Sequence, residues 1–336
     1  MSFFLRLGAT ALALLTLSAC STFYRPGGWV AYDFTERYAI PHTMKSNDLP
    51  MACGMTGAML PVLMAFTEIA YTPDKDAIVM NMLMGNCADV EAQEHVLDYA
   101  RAMKAQNISV AQDARTLEKR AFALTAARQY ASYQHMVAQF GEPGEKCPSL
   151  SRDEELYWVL GNLAGMQAVL SDLKAQSVVN VPKDIAMKSV RGMQCVDNVR
   201  WWGLPEALQA GIWIMMPDAA PKEVDVWAKM EHAGQIATAS GVRLAHAIEV
   251  IIADGAGHNE RLRAAIKRHG DSLKLKASDP KYRLIDLLAT AHVQAVSDRL
   301  WTENTGARTP FGSLGSFWDH TAKPTNTINI DDLLED

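Results

Sequence analysis

Apolar residues recur every three or four positions from about residue 52 to residue 302, the spacing that puts them on one face of an α-helix. This periodicity predicts helices over 52–70, 76–87, 90–106, 111–139, 152–176, 183–198, 205–216, 221–238, 241–253, 259–273 and 281–302. In 152–176 the stripe is Leu156, Val159, Leu160, Leu163, Met166, Leu170 and Leu173, and Ser151 with Glu154 makes a capping box at its start. Alternation of β-branched residues never persists. Ser177–Val181, closed by Pro182, is the best strand candidate. Thr72-Pro73-Asp74, Met216-Pro217-Asp218 and Asp279-Pro280-Lys281 each stop one helix and precede another, since proline cannot continue a helix and the polar residues after it can cap the next.

Helices of 12–25 residues joined by short turns predict an all-α fold: antiparallel helix hairpins stacked as a TPR-like α-solenoid over 50–305. The spaced Trp, Gly, Tyr and Ala of the consensus 34-residue repeat do not recur cleanly, so the repeats are TPR-like only. Residues 20–49, with Pro26-Gly27-Gly28 and Pro41, read as a loop-rich spacer. Residues 306–336 lose the periodicity and end in the acidic Asp331–Asp336, with Phe311, Phe317 and Trp318 expected to pack part of this tail.

The N-terminus has its own pattern. Met1–Cys20 reads MSFFLRLGATALALLTLSAC: Arg6, a short apolar stretch Leu7–Leu15, then small residues directly before a cysteine. The apolar stretch is too short to span a bilayer, so 1–19 is expected to be a signal peptide that is removed. The Leu-x-Ala-Cys ending resembles the bacterial lipobox, which makes Cys20 the lipidation site and the new N-terminus. Each buried acyl methylene contributes roughly 0.8 kcal/mol, so several chains anchor almost permanently. Ser21, where an Asp would signal retention, implies the periplasmic face of the outer membrane of a Gram-negative bacterium.

That compartment is oxidising, which changes the meaning of Cys53, Cys87, Cys147 and Cys195. Three pairings are possible. If 52–70 and 75–88 form an antiparallel hairpin, Cys53 at the start of one meets Cys87 at the end of the other and leaves Cys147 for Cys195. Four free buried thiols are the other reading. No C-x-x-C occurs, so neither a zinc knuckle nor a thioredoxin-like site is indicated.

Composition narrows the function. The chain has 336 residues, a formal charge of −6 and 49% hydrophobic residues, which fits a folded protein and argues against nucleic acid as a partner. There is no G-x-S-x-G, Walker loop or H-E-x-x-H, so no catalytic residue is named and no cofactor or metal is expected. Met51, Met55 and Met59 share one helical spacing and Met80, Met82 and Met84 follow. Such thioethers fill cores, line grooves for variable ligands, or hold Cu(I) in an exported protein. Adjacent residues on one helix lie about 100° apart, so one of Trp201 and Trp202 is expected to face a cavity, a partner or a second subunit. Arg120, Arg128 and Tyr130, together with Trp158, Trp201 and Trp202, are the candidate ligand or partner surface, the arginines orienting a carboxylate.

The order of these features resembles the lipoprotein T component family associated with TRAP transporters. The resemblance rests on Leu60 through Asp74, on Arg120-Ala121, on Trp158 and on Ile185 to Asp197. It continues through Trp202, Gly203, the helix ending Met216-Pro217, and Leu284 to Trp301. It implies a lipid-anchored helical protein whose subunits assemble, as a trimer, around an apolar pore. Its implied partner is a periplasmic substrate-binding protein of a tripartite ATP-independent transporter. The expected function is therefore non-catalytic binding and assembly, accessory to uptake of a small organic, apolar-leaning acid. Two alternatives stand beside it: an outer-membrane assembly scaffold that grips peptides, and an exported metal-handling protein or enzyme using Met and His clusters.

Overall fold

The computed structural model describes residues 24–144 and 146–319, and among them every regular element is helical. Eleven helices run in order: α1 (24–44), α2 (Leu49–Ala65), α3 (Asp74–Lys104), α4 (Ile108–Phe140), α5 (Glu154–Lys174), α6 (Ile185–Met193), α7 (Leu204–Met215), α8 (Val226–Ser240), α9 (Leu244–Gly255), α10 (Asn259–Leu275) and α11 (Arg283–Thr305). The all-α expectation is met, and the signal segment, Cys20 and 320–336 lie outside the described residues.

The proline-marked boundaries hold: α3 begins directly after Pro73, α7 ends just before Pro217 and α11 starts after Pro280. Ser151 closes its capping box, with Glu154 accepting from its backbone N–H at 3.0 Å and its hydroxyl at 2.7 Å. Three local expectations are corrected. The strand candidate Ser177–Val181 is a loop, because Gln176, Ser177 and Asn180 adopt left-handed φ of 62°, 58° and 61°. Its backbone wraps the buried Asp172, which accepts from the N–H groups of Val179 and Val181, both at 2.9 Å. Segments 76–87 and 90–106 are one helix, α3. The expected spacer contains α1, for Pro26 sits in its first turn, where no intrahelical N–H is needed. Pro41 follows a π-turn at Thr35–Ala39 that absorbs the irregularity.

Consecutive helices α3, α4 and α5 pack against one another over long lengths. Glycine permits the closest of these approaches: a Cβ on Gly161 of α5 would lie 2.4 Å from the Met136 side chain of α4. In the C-terminal half α9 is the hub, touching α7, α8, α10 and α11. The last helix, α11, returns to lie along α3 and also meets α2. One main hydrophobic core runs through the molecule from Tyr32 to Phe317.

Beyond α11 the chain folds back on the body. Phe317 is buried and Trp318 packs edge-on against Trp301 at 5.8 Å, whereas Phe311, expected to pack with them, points into solvent.

Candidate functional site

Both disulfides expected from the hairpin argument are present: Cys53–Cys87, with Cα atoms 6.0 Å apart, and Cys147–Cys195, with Cα atoms 5.4 Å apart. The first ties α2 to α3. The second ties the α4–α5 connection to the turn after α6.

The six residues expected to share a surface do not share one. Trp158 on α5 is buried, and its indole N–H donates to the Gly192 carbonyl at 2.8 Å. Trp201 and Trp202 are both buried, which corrects the expectation that one faces a cavity, partner or subunit. The 100° argument presumed a helix, but Trp202 has a left-handed φ of 62° and the pair lies in the turn before α7. Trp201 donates to Glu155 at 2.7 Å, while Trp202 meets the Tyr282 ring at 4.9 Å between centroids. On α4, Arg120 is exposed, Tyr130 is half-buried against the core, and Arg128 donates to the Met84 carbonyl of α3 at 3.1 Å. The tryptophans act as packing and hydrogen-bonding anchors between layers.

A groove lies where α11 returns to α3. It has a volume of about 190 Å³ and is lined by Asn86, Asp89, Glu94, His292, Asp298 and Arg308, among others. Residues 86 and 89 are one helical turn apart, so α3 presents both to His292. The Asn86 amide is pinned, because its NH₂ donates to the Met82 carbonyl at 2.9 Å. Its Oδ1 must therefore accept from His292 Nε2, 3.0 Å away. The other ring nitrogen, Nδ1, lies 3.3 Å from an Asp89 carboxylate oxygen. Both ring nitrogens thus face oxygen acceptors. Burial opposes ionisation of Asp89, yet the hydrogen bond and charge of His292, with Lys174 and Gln93, hold its carboxyl below the usual range.

At the groove's outer end Arg308 grips Glu94 through both carboxylate oxygens, and the first cause of the lowered Glu94 pKa is that bond. Asp298 accepts from Gln294 at 2.6 Å and from the Thr309 N–H at 3.2 Å. Asp89, Glu94 and Asp298 line the groove together with His292 and Arg308. A His–Asp pair in such a groove can donate and accept hydrogen bonds. Asn86, Asp89 and His292 escape sequence reasoning because they come together over 206 residues; the available signal was the interruption of apolar periodicity between 87 and 90.

A second cleft, about 240 Å³, opens at the start of α3 between Tyr32, Glu36, Tyr71, Asp74, Lys75 and Asp76. Lys75 bridges Glu36 at 3.5 Å and Glu154 at 3.3 Å, and His135 meets Asp74 at 2.7 Å. Burial, helped by the charge of Glu36, pushes Asp76 up to about 7, and its Oδ1 has no hydrogen-bond partner.

His232 and His246, both in the C-terminal half, do not come together. His232 bonds Glu206 at 2.7 Å, while His246 is buried beside His269. Among the described residues no group of three or more His, Cys, Asp or Glu side chains is placed to hold a metal ion. No family model matches the chain, and no curated protein or solved structure matches it either.

Proposed function

We propose that the protein is a lipid-anchored binding and assembly module on the periplasmic face of the outer membrane, with no catalytic activity of its own. It serves a TRAP-type uptake system together with a periplasmic substrate-binding protein, the partner class implied by the sequence resemblance. Cys20 is the acylated residue. Two disulfides in a helical body support an oxidising compartment. The successive packing of α3, α4 and α5 supports a TPR-like stack of hairpins, with trimeric assembly following from the resemblance alone.

The observation that supports the binding reading is the α3–α11 groove. Asp89 faces His292 and Arg308 holds Glu94 within it. Such a site holds a ligand by charge and hydrogen bonding. Its three carboxylates and its side-chain amides can hold a basic or amide-bearing group, which supports the second reading, a scaffold that grips peptides.

Uptake in the native host tests the proposal. A strain lacking the protein is expected to take up at least one small organic acid more slowly than its parent. Wild-type protein restores that rate, and the Cys20→Ala variant restores it poorly. Equal uptake of every acid in a broad panel by all strains overturns the transport role.

A further inference from the structure

Helices on the surface of a soluble body put apolar residues inward and polar residues outward. α1 departs from this. Its inner face is conventional: Tyr32, Thr35, Ile40, Thr43 and Met44 are buried. Its outer face carries Trp29, Val30, Phe34 and Tyr38, between 52% and 69% exposed, and Val30, Phe34 and Tyr38 follow one another at four-residue intervals. Phe34 and Tyr38 stack at 5.9 Å in full view of solvent.

Beside it, α2 has no charged residue in its 17 positions, and only Ala52, Thr56 and Leu63 are buried. The stretch Leu49–Glu68 is long and apolar enough to cross a membrane by length and composition, yet only 17% of its apolar window is buried. Met51 and Val62 are exposed, and Met55 and Met59 are half-buried. Met55 and Met59 meet Phe34 and Tyr38 in a shallow trough of about 560 Å³ whose rim carries Arg37, His42 and Lys45. The two helices thus present one apolar sheet of side chains with a basic margin.

We infer that this face of α1 and α2 is a docking surface for a phospholipid bilayer, on which the protein lies. The inference rests on the reading of Cys20 as the anchor. Three residues separate Cys20 from Tyr24, and the four steps between them span at most about 14 Å. An acylated Cys20 therefore holds the start of α1 at the headgroup layer. Trp and Tyr favour that layer, and Arg37 and Lys45 on the rim can reach lipid phosphates while their stems lie along apolar surface. α2 lies on the bilayer and does not cross it, because Cys53–Cys87 fastens it to α3 and the underside of α1 is packed into the main core.

The test uses the full, lipidated chain reconstituted in vesicles of phosphatidylethanolamine and phosphatidylglycerol, with and without brominated acyl chains, reading tryptophan emission. Brominated lipid is expected to quench a component of the emission that Trp29→Phe removes. Phe34→Glu with Tyr38→Glu is expected to lose most of that quenching, although Cys20 remains acylated by mass spectrometry and the helical circular dichroism is unchanged. Equal emission from the wild type in brominated and ordinary vesicles, with Cys20 acylated, overturns the inference and leaves the anchor standing. Trp29 shielded from both brominated lipid and aqueous iodide means a second copy covers the face, and also overturns it. Quenching that persists in a chain whose Cys20 carries no lipid supports the docking surface independently of the anchor.

Discussion

The two ends of the molecule solve the problem of polarity in opposite ways. In α1 and α2 apolar side chains face outward, and α2 buries only three of its 17 residues. In α7–α11 charge is drawn inward. Arg243 is fully buried and its guanidinium and backbone N–H bond Asp286 at 2.5 and 2.8 Å. It also donates to the Ser272 hydroxyl at 2.9 Å and to the carbonyls of Ser272 and Lys276. Ser278 completes Asp286 at 2.6 Å. The C-terminal half is closed on itself, with each polar demand of this cluster met from within. The N-terminal pair leaves its apolar surface unmet, the condition of a surface meant for contact.

The largest expected effect breaks the closed half. Arg243→Ala leaves Asp286 as a buried unpaired charge and should cost about 3–5 kcal/mol in chemical denaturation. The open half responds to its staple. Replacing Cys53 and Cys87 by Ser removes a link between residues 34 apart, for which the chain-entropy model gives about 4 kcal/mol and measured losses run about 2–5. Faster hydrogen exchange in α2 than in α9 is expected to accompany that loss.

Acid and base should separate the halves by sign. Asp76, near α1, has its pKa raised from 3.8 to about 7 by burial and by Glu36. The folded state therefore holds the proton longer than the unfolded chain, and this group's share of stability declines as pH rises from 3.8 toward 7. Asp76→Asn is expected to stabilise at pH 8, on the order of 2 kcal/mol after allowance for water in the cleft, and to do little at pH 4. His246 and His269 are depressed by burial from 6.5 to about 4 and about 3. Here the unfolded chain takes up protons first, so stability is full above 6.5 and declines as pH falls toward those values. The two windows overlap between pH 4 and 6.5, so urea midpoints across pH 4–8 are compared with those of variants. Asp76→Asn should remove the decline toward high pH, and replacing His269 by Gln should lessen the decline toward low pH. The smallest effect is at the outer face: Phe34→Gln should shift folding stability by less than about 0.5 kcal/mol, because the ring has no buried contact to lose.

Helix periodicity revealed the fold class, and the hairpin argument located both cysteine pairs, because those depend on local spacing and one neighbouring contact. α1 was obscured by Pro26 and Pro41, which act as breakers in a helix interior but are tolerated in the first turn and beside a π-turn. The split expected between 87 and 90 has a structural cause: Asn86 and Asp89 interrupt the apolar stripe because they face His292 across the groove. The return of α11 to α3, which creates that groove, leaves no local trace in the pattern. Trp201 and Trp202 misled for a related reason, since the left-handed backbone at Trp202 turns the second indole into the core.

Tethering underlies both the proposed role and the bilayer contact, and mass spectrometry of the protein taken from native membranes tests it most directly. The account predicts a mature chain beginning at Cys20, its thiol carrying a diacylglyceryl group. A chain that retains Met1–Ala19, or whose Cys20 bears no lipid, would contradict it.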